Sequence, residues 1–232
     1  AVEAVTVQFC GTQAEGLAHG WLGDRQLSDG RAARAVSRYR GGLQTAPEAS
    51  ESVVRPELSK SHFGIARDME WAEKNDLIDH VVYLALSDNV KVGVTRKTQI
   101  PTRWIDQGAH EAIEIVEVPN RYLAGITEVA LKDHVSDKTN WRKMLTNEVL
   151  DLNLADERDK LKEFIPDEAK EYYLGDRKEL EIEFPVLEFP KKIKTLNLGK
   201  NPFYEGVLKG IKGQYLIFTF KTFIVRSCIQ TI

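Results

Sequence analysis

The sequence predicts an α+β protein with a loop-rich N-terminal region, a central domain built on a small antiparallel sheet flanked by helices, and a small β-barrel-like domain at its C-terminal end. Three observations carry this expectation. Two β-branched and aromatic runs, residues 80–87 (HVVYLALS) and 90–95 (VKVGVT), lie on either side of the turn formers Asp88 and Asn89. A helical pattern opens at Asn120, behind the stop supplied by Pro119. Beyond residue 180 the chain alternates as short strand-like runs punctuated by Gly210 and Gly213. The expected segments are 1–78, 79–172 and 173–232.

Taken in order, residues 5–42 scatter Gly, Ala, Ser and Arg with no sustained period and read as loop, apart from a possible two-turn helix at 31–39 (RAARAVSRY). Residues 66–76 (ARDMEWAEKND) favour a short helix. After the hairpin, Pro101 suits the first turn of a helix that carries Arg103, Trp104 and Ile105 and ends near Gly108. Residues 112–118 (AIEIVEV) alternate as a third strand. In 121–135 (RYLAGITEVALKDHV), Tyr122, Ile126, Val129 and Leu131 fall on or near one face. Further helices are expected at 141–145 and 155–164. Residues 180–189 alternate, and 207–227 read as two or three strands.

The chain has 232 residues, 42% of them apolar and 29% charged, with a net charge of −3. This composition suits a globular chain and contains no run of 18 apolar residues, which argues against a membrane span and against wholesale disorder. Only Cys10 and Cys228 are present, too few for a disulfide framework, and no charged-then-apolar segment opens the chain, so a cytoplasmic protein is expected. The averages conceal two breaks. Residues 1–59 hold six Arg and no Lys, Ile or Asn, whereas residues 60–232 hold 18 Lys, 15 Ile and 8 Asn. Charge also divides unevenly: −2 over 1–78, −1 over 79–150, −5 over 151–176 and +5 over 177–232. A basic end of that sign could sit against phosphate through Lys209 and Lys212, or could be a solvated β surface.

Some chemistry lacks support. No phosphate-binding loop of the G-x-x-x-x-G-K-[ST] kind and no G-x-G-x-x-G turn occurs, and His80, His110 and His134 lack the spacing of a zinc-protease helix.

The succession VYLA, KVGVTR and TQIPTRWIDQGA within residues 81–109 resembles an uncharacterised bacterial family of the GIY-YIG nuclease superfamily. The similarity covers residues 80–145 and continues more weakly through 184–197 and 210–218. It implies a GIY-YIG-like central domain, with Tyr83 as the tyrosine of the first triplet and Val81 where the glycine would stand. The second triplet reads Lys91, Val92, Gly93, so lysine replaces its tyrosine. The helix arginine falls on Arg103, ten residues after Gly93, and the metal-binding glutamate on Glu128. Such a site implies metal-dependent phosphodiester hydrolysis. Glu128 would ligate Mg²⁺, Arg103 and Arg96 would contact phosphate, and Tyr83 or Lys91 would position or deprotonate the water. Plainer roles remain open: Tyr83 as a core residue, Gly93 as a close-packing position, and Arg103 as a partner of Asp106 one turn on.

The resemblance also implies a zinc module before the hairpin. The corresponding positions read Ser52, Ser59, Ala66 and Asp76, leaving His62 as the one good ligand. The expected partner is nucleic acid, DNA or RNA, or a ribonucleoprotein, met either as an endonuclease or as a binding module without catalysis. A protein-interaction scaffold is the third reading.

Overall fold

The computed structural model describes residues 4–8, 55–135, 140–194, 203–219 and 222–224. The chain divides into two compact units, Ala1–Gln44 with Phe184–Ile232, and Thr45–Glu183. Both are mixed or antiparallel in the way an α+β chain requires. Among the described residues, no helix is long and apolar enough to cross a membrane.

The larger unit is built on a four-stranded antiparallel sheet in the order β3-β2-β4-β5. Strands β2 (His80–Leu86) and β3 (Val90–Arg96) form the expected hairpin, pairing from His80 opposite Arg96 to Leu86 opposite Val90. β4 (Glu111–Val118) lies along the other side of β2, and β5 (Leu180–Glu181) is a two-residue edge. The register of β2 on β4 shifts between Val82 and Tyr83, which face Val116 and Glu114, so Ile115 is the extra residue of a bulge. Ile115 and Val116 consequently both enter the same core, where strict alternation would have separated them.

Helices cover this sheet, and most begin on an Asp or Asn cap. α1 (Met69–Asn75) is capped by Asp68, whose carboxylate accepts from Trp71 N at 3.0 Å. α2 (Thr102–Asp106) follows Pro101 at its N-cap, and the chain leaves it through Gly108 at φ 69°. α3 (Arg121–Lys132), α4 (Trp141–Thr146) and α5 (Leu154–Leu161) are capped by Asn120, Asn140 and Asn153. α3 buries Ala124, Gly125, Thr127 and Leu131; of the face through Tyr122, Ile126, Val129 and Leu131 that spacing predicts, Leu131 is buried but Val129 is 45% exposed. The small residues win because the 3-10 turn Pro56–Leu58 lies directly on them. A Cβ at Gly125 would stand 2.3 Å from Glu57 N and 2.5 Å from the Pro56 carbonyl carbon.

The main apolar cluster takes Val82, Leu84 and Leu86 from β2, Val90 and Val92 from β3 and Ile113, Ile115, Val116 and Val118 from β4. Ala124 and Leu131 of α3 and Leu154 and Leu161 of α5 close it. Each fully buried Val, Leu or Ile contributes about 1.5–3 kcal/mol relative to exposure. At the end of this unit Arg158, 4% exposed on α5, donates to the carbonyls of Leu174, Gly175 and Arg177 at 3.1, 2.8 and 2.7 Å. This charged residue is therefore a buried staple between α5 and the segment 174–177.

In the smaller unit β1 (Ala4–Gln8), β6 (Phe203–Lys212), β7 (Tyr215–Phe218) and β8 (Thr222–Ile224) form an antiparallel sheet in that order. One expectation is corrected. Residues 5–8 are not loop: the alternation of AVTVQ serves as a strand, with Ala4 opposite Val207 and Gln8 opposite Phe203. The sheet is open, and no closed barrel occurs among the described residues. Gly213 makes the turn at φ 56°, but Gly210 stays inside β6, where a Cβ would meet Val186 Cα at 2.6 Å. Residues 31–39, Ser52, Cys10 and Cys228 lie outside the described residues.

Candidate functional site

Strand β3 is an edge of the larger sheet, and beside it opens a cleft of about 430 Å³. Its sequence builds the cleft locally. The end of β3 supplies Thr95 and Arg96, α2 supplies Arg103 and Asp106, and α3 supplies Arg121, Glu128 and Lys132. Pro56 and His80 complete the wall. Among the described residues, four cations thus face two carboxylates, an excess that attracts anions. Glu128 is partly neutralised already, since its Oε1 lies 3.1 Å from Lys132 Nζ. Arg96 is held by Asn75, to whose Oδ1 it donates at 2.5 Å, and Arg121 Nε lies 3.8 Å from Asp76 Oδ1.

Tyr83 stands behind the cleft, 0% exposed, its ring 5.8 Å from that of Trp104. Gly93 faces it across the ladder, and a Cβ there would lie 2.7 Å from both Cζ and Oη of Tyr83. Gly93 is thus a close-packing position for this ring. The Tyr83 hydroxyl accepts from Gln107 Nε2 at 2.6 Å. Burial pushes the phenol above its ordinary value, while the charge of Arg103 and hydrogen bonds from Gln107 and Arg103 pull it down and the charge of Glu128 pushes it up. Tyr83 is accordingly a neutral phenol at physiological pH, poorly suited to deprotonate water. The cation acting on it is Arg103. Lys91, expected in that place, sits opposite Ala85.

His80 belongs to the same wall and carries no motif that sequence reasoning could use. It is 1% exposed, and its Nδ1 lies 2.7 Å from the Ile78 carbonyl. Burial holds its pKa below the ordinary value despite that hydrogen bond, so the ring is neutral. A proton on Nδ1 leaves Nε2 as an acceptor.

The region where the resemblance implies zinc holds a chain of hydrogen bonds between oxygens. Ser59 Oγ donates to Ser61 Oγ at 3.2 Å, and Ser61 Oγ donates to Asp76 Oδ2 at 2.9 Å. Ser59, Ser61 and Asp76 are buried, and His62 stacks on Tyr122 with centroids 4.5 Å apart. Hydroxyls and one carboxylate do not make a tetrahedral thiolate site, so these residues do not fit structural zinc.

The two C-terminal lysines belong to the smaller unit. Lys209 Nζ lies 3.3 Å from Glu188 Oε2. Lys212 is 0% exposed, with its ammonium 5.7 Å from the Phe184 ring and 5.3 Å from that of Phe189, and burial pushes its pKa down to about 8. Enclosed in this way it offers nothing to a phosphate, which corrects the expectation drawn from the basic composition of the segment. A second depression in the larger unit, about 650 Å³, is lined in part by Asp159, Lys160, Lys170 and Tyr173, each of which has a hydrogen-bond or ion-pair partner. Tyr173 donates to Asp159 at 2.7 Å, Lys160 pairs with Glu157 and Lys170 with Asp167.

Fold and site together define an α+β protein with a cationic cleft at the edge of a small antiparallel sheet. Residues 37–229 match the model of the family described as "Protein of unknown function (DUF2797)", and the chain belongs to that family. No curated protein and no solved structure matches the chain.

Proposed function

We propose that the larger unit is a GIY-YIG-like domain that binds nucleic acid through its phosphates. The observation that carries this reading is the cleft in which Arg96, Arg103, Arg121 and Lys132 outnumber Glu128 and Asp106. Guanidinium groups hold phosphate oxygens bidentately, and Arg103 is exposed while also reaching the buried Tyr83 hydroxyl. The order hairpin, Arg103 helix, third strand, Glu128 helix supports the GIY-YIG-like assignment. A basic barrel-like C-terminal domain remains the finer reading of the open sheet, with Lys209 near its surface.

Hydrolysis is the second reading, favoured because Arg103 and Glu128 share the cleft and Arg103 contacts Tyr83. Glu128 and Asp106 would hold Mg²⁺, which would neutralise charge on the phosphoryl oxygens. With cations in excess, these residues suit the ion only in company with phosphate. Tyr83, buried behind the cleft, would act on the ligand only through Arg103.

The test is binding of labelled DNA and RNA across a salt series, with and without Mg²⁺. Binding that weakens steeply with salt is expected, and Arg103→Ala lowers the slope of log affinity against log salt by about 0.7–0.9, the value of one lost phosphate contact. Salt-independent binding, or none, would sink this reading; cleavage with Mg²⁺ that disappears in Glu128→Gln would establish the second.

A further inference from the structure

Next to the cleft the chain presents aromatic rings that phosphate binding does not use. Phe63 is 72% exposed at the end of the short turn Ser61–Phe63. Its ring centroid lies 3.9 Å from that of His62, which in turn stacks on Tyr122 at an interplanar angle of 25°. Tyr122 adjoins Arg121 on α3, and Arg121 and Pro56 both line the cleft.

This stretch is firmly placed. Phe63 N donates to the Lys60 carbonyl at 2.9 Å, and the chain leaves the turn through Gly64 at φ 74°. Ser61 is anchored on Asp76, and the preceding turn is pressed onto Gly125 with no room for a side chain between them. An apolar ring held in solvent by a hydrogen-bonded turn, and linked through His62 and Tyr122 to the helix that carries Arg121, offers a flat π-face on the unit that holds the phosphate site. Lys60 and Arg67, both exposed, flank it in sequence.

We propose that Phe63 is a stacking platform for a nucleobase and that the ligand of the cleft is single-stranded nucleic acid. Its phosphates lie on Arg96, Arg103 and Arg121 and one base lies on Phe63. The proposal rests on the phosphate-binding reading and adds the strandedness of the ligand. Duplex keeps its base faces covered by stacked neighbours, whereas a single strand presents backbone charge and a free base face together, the two features this surface matches. A protein partner could also cover an exposed phenyl ring, but the positive excess of the adjoining cleft complements a polyanion.

The experiment measures affinity of the full chain for three probes: a short labelled single strand, the same strand made abasic, and a hairpin duplex. Phe63→Ala is expected to weaken the single strand about tenfold and to leave the abasic strand unchanged, while Phe63→Tyr, which keeps a ring, restores binding. A 2-aminopurine in the strand is quenched on binding to the wild type and not to Phe63→Ala. Arg103→Ala weakens all three probes. If Phe63→Ala binds like the wild type while Arg103→Ala does not, the platform is wrong and the phosphate reading stands. If Arg103→Ala also binds like the wild type, both fail. A wild-type preference for the hairpin overturns the strandedness. Because Phe63 is exposed, its truncation leaves the fold intact, which circular dichroism verifies.

Discussion

The two faces of strand β2 are built on different terms. Toward α3 and α5, Val82, Leu84 and Leu86 enter a large cluster shared with β3, β4 and both helices. Toward α2, Val81, Tyr83 and Ala85 cluster with Trp104, Ala109 and Ala112, with Ile100 and Ile182 alongside. The first face is filled by many interchangeable aliphatic side chains. The second is organised around one ring and depends on what is absent opposite it, the side chain of Gly93. A single strand thus makes the core with one face and, through the hydroxyl of Tyr83 and the guanidinium of Arg103, prepares a site with the other.

The sharpest way to break this contrast lies at α3. Gly125→Ala would force a methyl group against the backbone of Pro56 and Glu57, which cannot rotate aside as a side chain can. A loss of about 3 kcal/mol in denaturant-unfolding stability is expected, with weaker nucleic-acid binding because Pro56 leaves the cleft wall. Unchanged stability would show that the turn does not rest there.

On the other face, Gly93→Ala meets the buried Tyr83 ring and is expected to cost about 2 kcal/mol. Adding Tyr83→Leu should recover part of that loss, so the double-mutant cycle reads the clash directly. Additive losses would refute the pairing.

Lys212 in the smaller unit gives a control outside both faces. Its pKa lies near 8 in the folded chain against an ordinary value of 10.5. In the intervening window the unfolded chain holds more protons at this residue, so its contribution to stability rises with pH; below pH 8 both states are charged and the contribution is flat. Melting curves of wild type and Lys212→Met between pH 7 and 9.5, a window set by that pKa, should therefore converge or cross as pH increases. Parallel curves would remove the charge argument.

Smaller effects separate the ring from its hydroxyl. Tyr83→Phe forfeits the bond from Gln107 and is expected to cost about 1 kcal/mol by thermal unfolding, far less than disturbing the ring itself. Arg103→Ala, at an exposed position, should leave stability within about 0.5 kcal/mol of the wild type while affinity for nucleic acid falls. A large stability loss would move Arg103 from the site to the scaffold.

Much of the larger unit is legible locally. The hairpin follows from Asp88 and Asn89 between β-branched runs, the Arg103 helix from Pro101 and Gly108, and α3 from the Asn120 cap, because each is set by residues close in sequence. The same holds for the place of Arg103 and Glu128 within their helices. Helical spacing misassigns the buried face of α3, since it cannot register that a turn some 70 residues earlier will press on Gly125. Composition likewise offers Lys212 as a phosphate contact, because it counts charges without placing them. The pairing of β1 with β6 joins residues nearly 200 positions apart, and nothing within AVTVQ names its partner.

In the larger unit the sequence by itself determined where the hairpin, the third strand and the Asn120-capped helix fall, for these depend on backbone preference and short-range hydrogen bonds. Only the tertiary structure decided which charges are available. It gathered four cations from three elements into one cleft, enclosed Lys212 between two phenyl rings, and set Tyr83 where burial keeps its proton on. Those outcomes turn on distance and desolvation, which arise when remote segments pack.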